Sequence, residues 1–99
     1  MTTWFVTRHA GAREWAAGEG IAVDRVVDHL EPALLKAGDV VLGTLPVHLA
    51  AEVCARGGRY LHLLIDVPAD LRGEEFTAAA MSRLGARLAE YSVRRVDVD

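Results

Sequence analysis

The chain has 99 residues, a net charge of −3, 52% apolar residues and 25% charged residues. That is an ordinary globular composition with enough length for one domain and one core, which argues against a disordered chain. The acidic balance excludes the broad positive field that binding of long nucleic acid needs, and no apolar stretch approaches the roughly 20 residues of a membrane-spanning helix.

The opening "MTTWFVTRH" has no basic segment followed by an apolar one, so no secretion signal is expected and the cytoplasm is the default location. Cys54 is the single cysteine, which rules out an internal disulfide and a cysteine-based zinc cluster. Lys36 is the single lysine, and the other basic residues are arginines. Arginines with backbone amides suit a small phosphorylated ligand held locally.

"TWFVTR" (3–8) is aromatic and β-branched and predicts a buried strand. "GAREWAAGEG" (11–20) predicts a helix that stops at Gly18 or Gly20. "DRVVDHL" (24–30) predicts a second, shorter strand, and "EPALLKAGD" (31–39) a helical turn closed by Gly38. "DVVLGTL" (39–45) is apolar enough for a central strand. "PVHLAAEVCARG" (46–57) predicts a helix with proline in its first turn and glycine at its end. "RYLHLLIDV" (59–67) predicts a fourth strand, followed by the loop "VPADLRGEEF". In 74–91 the apolar residues Phe76, Ala80, Met81, Leu84, Leu88 and Tyr91 recur at helical spacing and predict the longest helix. "SVRRVDVD" (92–99) alternates, and predicts a last edge strand over 92–98 of undetermined direction.

Strands alternating with helices imply an α/β fold of Rossmann-like design, a mostly parallel sheet of about five strands with helices on both faces. Ligands of such sheets bind outside the carboxyl ends of the strands, near a reversal of strand order. Three places qualify: Arg8-His9, Gly43-Thr44-Leu45-Pro46, and Asp66.

Arg8 can grip a phosphate with two N–H groups, and His9 can exchange protons near neutral pH. Gly11 would let a ligand approach the backbone, beside the free amides of the next helix. The plainer alternative pairs Arg8 with a surface carboxylate and leaves His9 capping a turn. Thr44 offers a hydroxyl near a helix start, or else is simply that helix's N-cap. His48 either faces the same crevice or lies on the surface. Asp66 either orients a histidine or holds a ribose hydroxyl, or it initiates the turn before Pro68. His29 and His62, on strands, read as half-buried structural residues, Trp4 and Trp15 as packing residues, and Cys54 as a small buried one.

The four histidines show no metal-binding spacing, and neither a Walker loop nor a dinucleotide fingerprint is present, so no metal and no cofactor are expected. "VTRHAG" is similar to the "RHG" signature of histidine phosphatases, but only over about six residues, and Ala10 displaces the glycine.

A wider likeness runs through "TWFVTRHAGAREWA", "IAVDRVVDHLEP", "GDVVLGTLPVHLAAEVCARGGRYLHL" and "GARLAEY". Over most of its length the chain resembles a small stand-alone CRISPR-associated family found beside type III systems, the sixteenth of the numbered Csx families, grouped with CARF-like ring nucleases. The resemblance implies a single CARF-like Rossmann domain over 1–99, a homodimer, and a cyclic oligoadenylate ligand, cyclic tetra-adenylate first, linearised without a metal. Joined to the strand-end reading above, this gives the expectation that Arg8 and His9 carry the chemistry, and that Gly11, Gly43, Thr44, Leu45, Pro46, His48 and Asp66 hold the ligand. A protein that only binds or sequesters the messenger is the alternative from another class, and a plain interaction domain the third.

Overall fold

A computed structural model describes residues 1–97. Strands β1 (Thr3–Val6), β2 (Arg25–Val27), β3 (Val40–Gly43), β4 (Arg59–Leu64) and β5 (Arg87–Tyr91) form one sheet in the order β2-β1-β3-β4-β5. The first four are parallel, and β5 runs antiparallel to β4. Helices α1 (Ala10–Gly18) and α3 (Ala78–Arg83) cover one face and α2 (Val47–Ala55) the other, giving a three-layer Rossmann-like arrangement.

Side-chain alternation along β1 and β3 splits the core into two. Trp4 and Val41 pack with Ala50 and Val53 of α2, and with Leu30, Leu35, Leu45 and Tyr60. Phe5 and Leu42 point the other way, against Ala12, Trp15 and Ala16 of α1 and Met81 of α3. Val41 and Leu42 are almost fully buried, as expected of a central parallel strand covered on both faces. The buried α1 residues recur at i, i+3 and i+4, the stripe a helix presents to a sheet.

One buried carboxylate ties the start of the chain to the sheet. Asp39, 3% exposed, accepts hydrogen bonds from the Thr2 amide (2.9 Å), the Lys36 amide (3.1 Å) and Trp4 Nε1 (3.2 Å). The two amides, aided by the indole, hold its carboxyl below the ordinary carboxylate range against the opposing effect of burial.

The C-terminal third departs from the sequence expectation. The helix expected over 74–91 is only Ala78–Arg83. Thr77 caps its start, its hydroxyl accepting from the Ala80 amide at 3.1 Å. Gly85, at φ +76°, ends it. The Ala86 amide then bonds back to the Met81 carbonyl and the Gly85 amide to that of Ser82, the paired bonds of a Schellman stop. Leu88 and Tyr91 belong to β5, paired with Leu63 and Tyr60. Helical spacing continued by coincidence across a glycine that reverses the chain. The last strand is therefore 87–91 and not 92–98: residues 92–97 form no strand, and Val98 lies outside the described residues. The second and fourth strands are also shorter than expected, which leaves His29 in a bend beyond β2 and Asp66 beyond the end of β4. No helix among the described residues is long and apolar enough to cross a membrane.

Candidate functional site

In this strand order the chain leaves β1 for β2 on one side and returns past it to β3 on the other, so the topology reverses between β1 and β3. Carboxyl ends of parallel strands diverge at such a point and leave a crevice. A cavity of about 370 Å³ lies there, lined by Thr7, Arg8 and His9 after β1, Asp28 and His29 after β2, and Thr44, Leu45 and Pro46 after β3. The two expected clusters thus share one cavity, through Arg8 and His9 on one side and Thr44, Leu45 and Pro46 on the other, while Gly43 is buried behind them.

Arg8 and His9, adjacent in the chain, take different partners. Arg8 Nη2 lies 3.1 Å from His29 Nε2. A guanidinium has only donors, so His29 accepts there through a lone pair. Arg8 therefore meets a histidine, not the surface carboxylate of the plainer alternative. His9 Nδ1 lies 2.9 Å from Glu75 Oε1 in the loop before α3. His9 is also the N-cap residue of α1, but through its backbone: its carbonyl receives the Ala12 and Arg13 amides, and its side chain caps nothing. With Nδ1 turned to a carboxylate, the other ring nitrogen is left for a ligand.

The 43–46 turn is held from beneath by a residue the sequence reading passed over. Tyr60, 2% exposed on β4, places its hydroxyl 2.8 Å from the Leu45 amide, 3.1 Å from the Gly43 carbonyl and 2.6 Å from His62 Nδ1. A phenol has one proton and two lone pairs. All three contacts are satisfied together when Tyr60 donates to Gly43 and accepts from Leu45 and from an Nδ1–H of His62. Burial pushes the Tyr60 hydroxyl's pKa upward, so it stays a donor at neutral pH. Gly43 itself has no room for a side chain. Its φ is +152°, and a Cβ would lie 2.9 Å from the Val6 carbonyl oxygen across the sheet.

This support decides what the turn can offer a ligand. The Leu45 amide is spent on Tyr60, and Pro46 has none. Thr44 is exposed and is not the N-cap of α2; that residue is Pro46, without a side-chain cap. The Thr44 hydroxyl is the group of the turn left to meet an anion in this cavity.

The remaining expected residues lie outside the cavity. Gly11 packs α1 against the loop, and a Cβ there would collide with the Phe76 carbonyl, so the glycine serves helix–loop contact and not ligand approach. His48 lines a separate, larger cleft between α2 and residues 92–95. Asp66 pairs with Arg87 of β5 at 3.3 Å. Conversely, His29, expected to be half-buried on a strand, is exposed and faces the cavity. His29 and Glu75 are the partners that sequence reasoning missed. The bend that frees His29 follows from a strand only three residues long, and Glu75 is far from His9 in sequence. Among the described residues, no three or more His, Cys, Asp or Glu side chains group as a metal cage.

A family model described as "Putative CRISPR-associated protein (Cas_VVA1548)" matches residues 4–94. No curated protein and no solved structure matches the chain.

Proposed function

The chain belongs to this CRISPR-associated family, and from that premise we propose that it is a metal-independent ring nuclease that linearises a cyclic oligoadenylate, cyclic tetra-adenylate first, and so switches off type III CRISPR signalling. The observation that carries this reading is the cavity at the strand-order reversal, where one arginine, two histidines and the Thr44 turn converge.

Ring opening needs no water and no metal. The ribose 2′-oxygen attacks its neighbouring phosphorus, the bond to O5′ breaks, and the products are a 2′,3′-cyclic phosphate and a 5′-hydroxyl. The protein has to align the three atoms and offset the charge that develops on the phosphate. Arg8 clamps that phosphate with its planar pair of donors. Thr44 holds a second phosphate. His9, oriented by Glu75, moves a proton at the reacting centre.

Size argues for two copies. A 370 Å³ cavity is at the small end of ligand sites, and a ring of four nucleotides exceeds it several-fold. A two-fold homodimer would set two such corners around one ring of matching symmetry.

The test is incubation of purified protein with cyclic tetra-adenylate in EDTA, followed by chromatography and mass spectrometry. Linear products with 2′,3′-cyclic phosphate ends, lost in Arg8→Ala, are expected. An intact ring with a clear thermal shift would mean a sequestering protein. Neither cleavage nor shift with any ring size would refute the reading.

A further inference from the structure

The contact between Arg8 Nη2 and His29 Nε2, 3.1 Å long, fixes more than position. Because Arg8 can only donate, His29 must carry a lone pair on Nε2 and its hydrogen on Nδ1. A proton on Nε2 would break the bond and set two cations face to face. Arg8 therefore occupies the Nε2 lone pair of His29 while the cavity is empty. A phosphate that draws the Arg8 donors to its own oxygens uncovers that lone pair beside itself.

His9 stands in the opposite setting. Its Nδ1 lies 2.9 Å from Glu75 Oε1, so a hydrogen on Nδ1 meets a carboxylate there and not a guanidinium. The titratable and charged groups around the two imidazoles are Arg8 from the β1 end, Asp28 from the β2 end and Glu75 from the loop before α3, with the two rings lining the same cavity.

We infer that His29 is a catalytic residue, the general base of ring opening, and that His9 is the complementary general acid. The inference rests on the ring-nuclease reading. His29 Nε2 takes the proton of the attacking 2′-hydroxyl as the O2′–P bond forms. His9 Nε2 gives its proton to O5′ as the P–O5′ bond breaks. One proton enters and one leaves, no water is consumed, and exchange with solvent resets both rings. Two residues with opposite proton duties, lining one cavity with a phosphate clamp, are a sufficient acid–base set for this reaction.

The experiment is the pH dependence of kcat for cyclic tetra-adenylate in the whole protein, wild type against His29→Gln and His9→Gln, with melting temperatures measured alongside. A bell-shaped wild-type profile is expected. His29→Gln should lower kcat by about 10²-fold or more, abolish the acidic limb and leave melting unchanged; His9→Gln should abolish the alkaline limb. An active wild type whose acidic limb survives His29→Gln overturns the inference and leaves the proposed function standing. A wild type that leaves the ring intact at every pH overturns the proposed function and the inference with it. Nitrogen-15 NMR of the free protein gives a separate reading: an Nδ1–H tautomer on His29 supports the assignment, and an Nε2–H tautomer overturns it.

Discussion

Replacing Tyr60 with phenylalanine removes one oxygen atom from the molecule and tests the whole account of the 43–46 turn. The hydroxyl is the partner of the Leu45 amide at 2.8 Å and the Gly43 carbonyl at 3.1 Å. Both residues are buried, so water cannot easily replace it. An unsatisfied buried donor or acceptor costs about 1–3 kcal/mol. The third contact, with His62, is cheaper to lose because that residue is half-buried and can turn to solvent. The total loss is roughly 3 kcal/mol, less the small gain from no longer desolvating a hydroxyl. For a domain of this length that lowers the melting temperature by roughly 12–24 °C. Urea unfolding read together with a thermal melt measures it. In parallel, the variant should bind cyclic tetra-adenylate more weakly, because the turn that offers Thr44 loses its anchor. A stability change under about 1 kcal/mol would refute the reasoning and show that the turn stands without the phenol.

Three further outcomes are expected. Asp39 has a depressed pKa, so its contribution to stability is complete above its ordinary value of 3.8 and is lost as pH falls through the lower folded value; urea midpoints of Asp39→Asn between about pH 5 and pH 2 should fall less steeply with acid than those of the wild type. Gly43→Ala combines an unfavourable backbone conformation with a Cβ pressed on Val6, and should cost about 2–4 kcal/mol in chemical unfolding. Glu75→Gln alters an exposed pair, so its melting temperature should stay at the wild-type value, while the ring-opening rate should fall because His9 loses its orienting carboxylate; an unchanged rate would remove Glu75 from the site.

The alternation of strands and helices was legible because buried parallel strands such as 40–43 are continuously apolar, and because Gly20 and Gly57 close their helices where glycine is needed. The 74–91 segment misled because Met81, Leu84 and Leu88 satisfy a helical period on both sides of Gly85, and periodicity does not register a change of chain direction. At the site, Arg8 and the 43–46 turn were legible from the strand-end rule alone. His29 was not, since a strand three residues long ends earlier than its apolar run suggests. Tyr60 and Glu75 act across 15 and 66 residues of chain respectively. Contacts of that span are set by tertiary packing, to which local patterns are blind.

The bare contact between Gly11 and the Phe76 carbonyl carries a consequence for how this domain can drift. Most surface loops absorb insertions and deletions because their backbones touch little. Here the loop carrying Glu75 rests directly on helix backbone, with no side chain between them to cushion a change. Residues 67–74, whose backbone hydrogen bonds run only within the segment, can lengthen or shorten, but position 76 is pinned to position 11 and any shift in it is felt two residues from His9. Among variants of this domain, length changes should fall ahead of Glu75, and a bulkier residue at position 11 should be found only where the loop has retreated and given up its hold on the histidine.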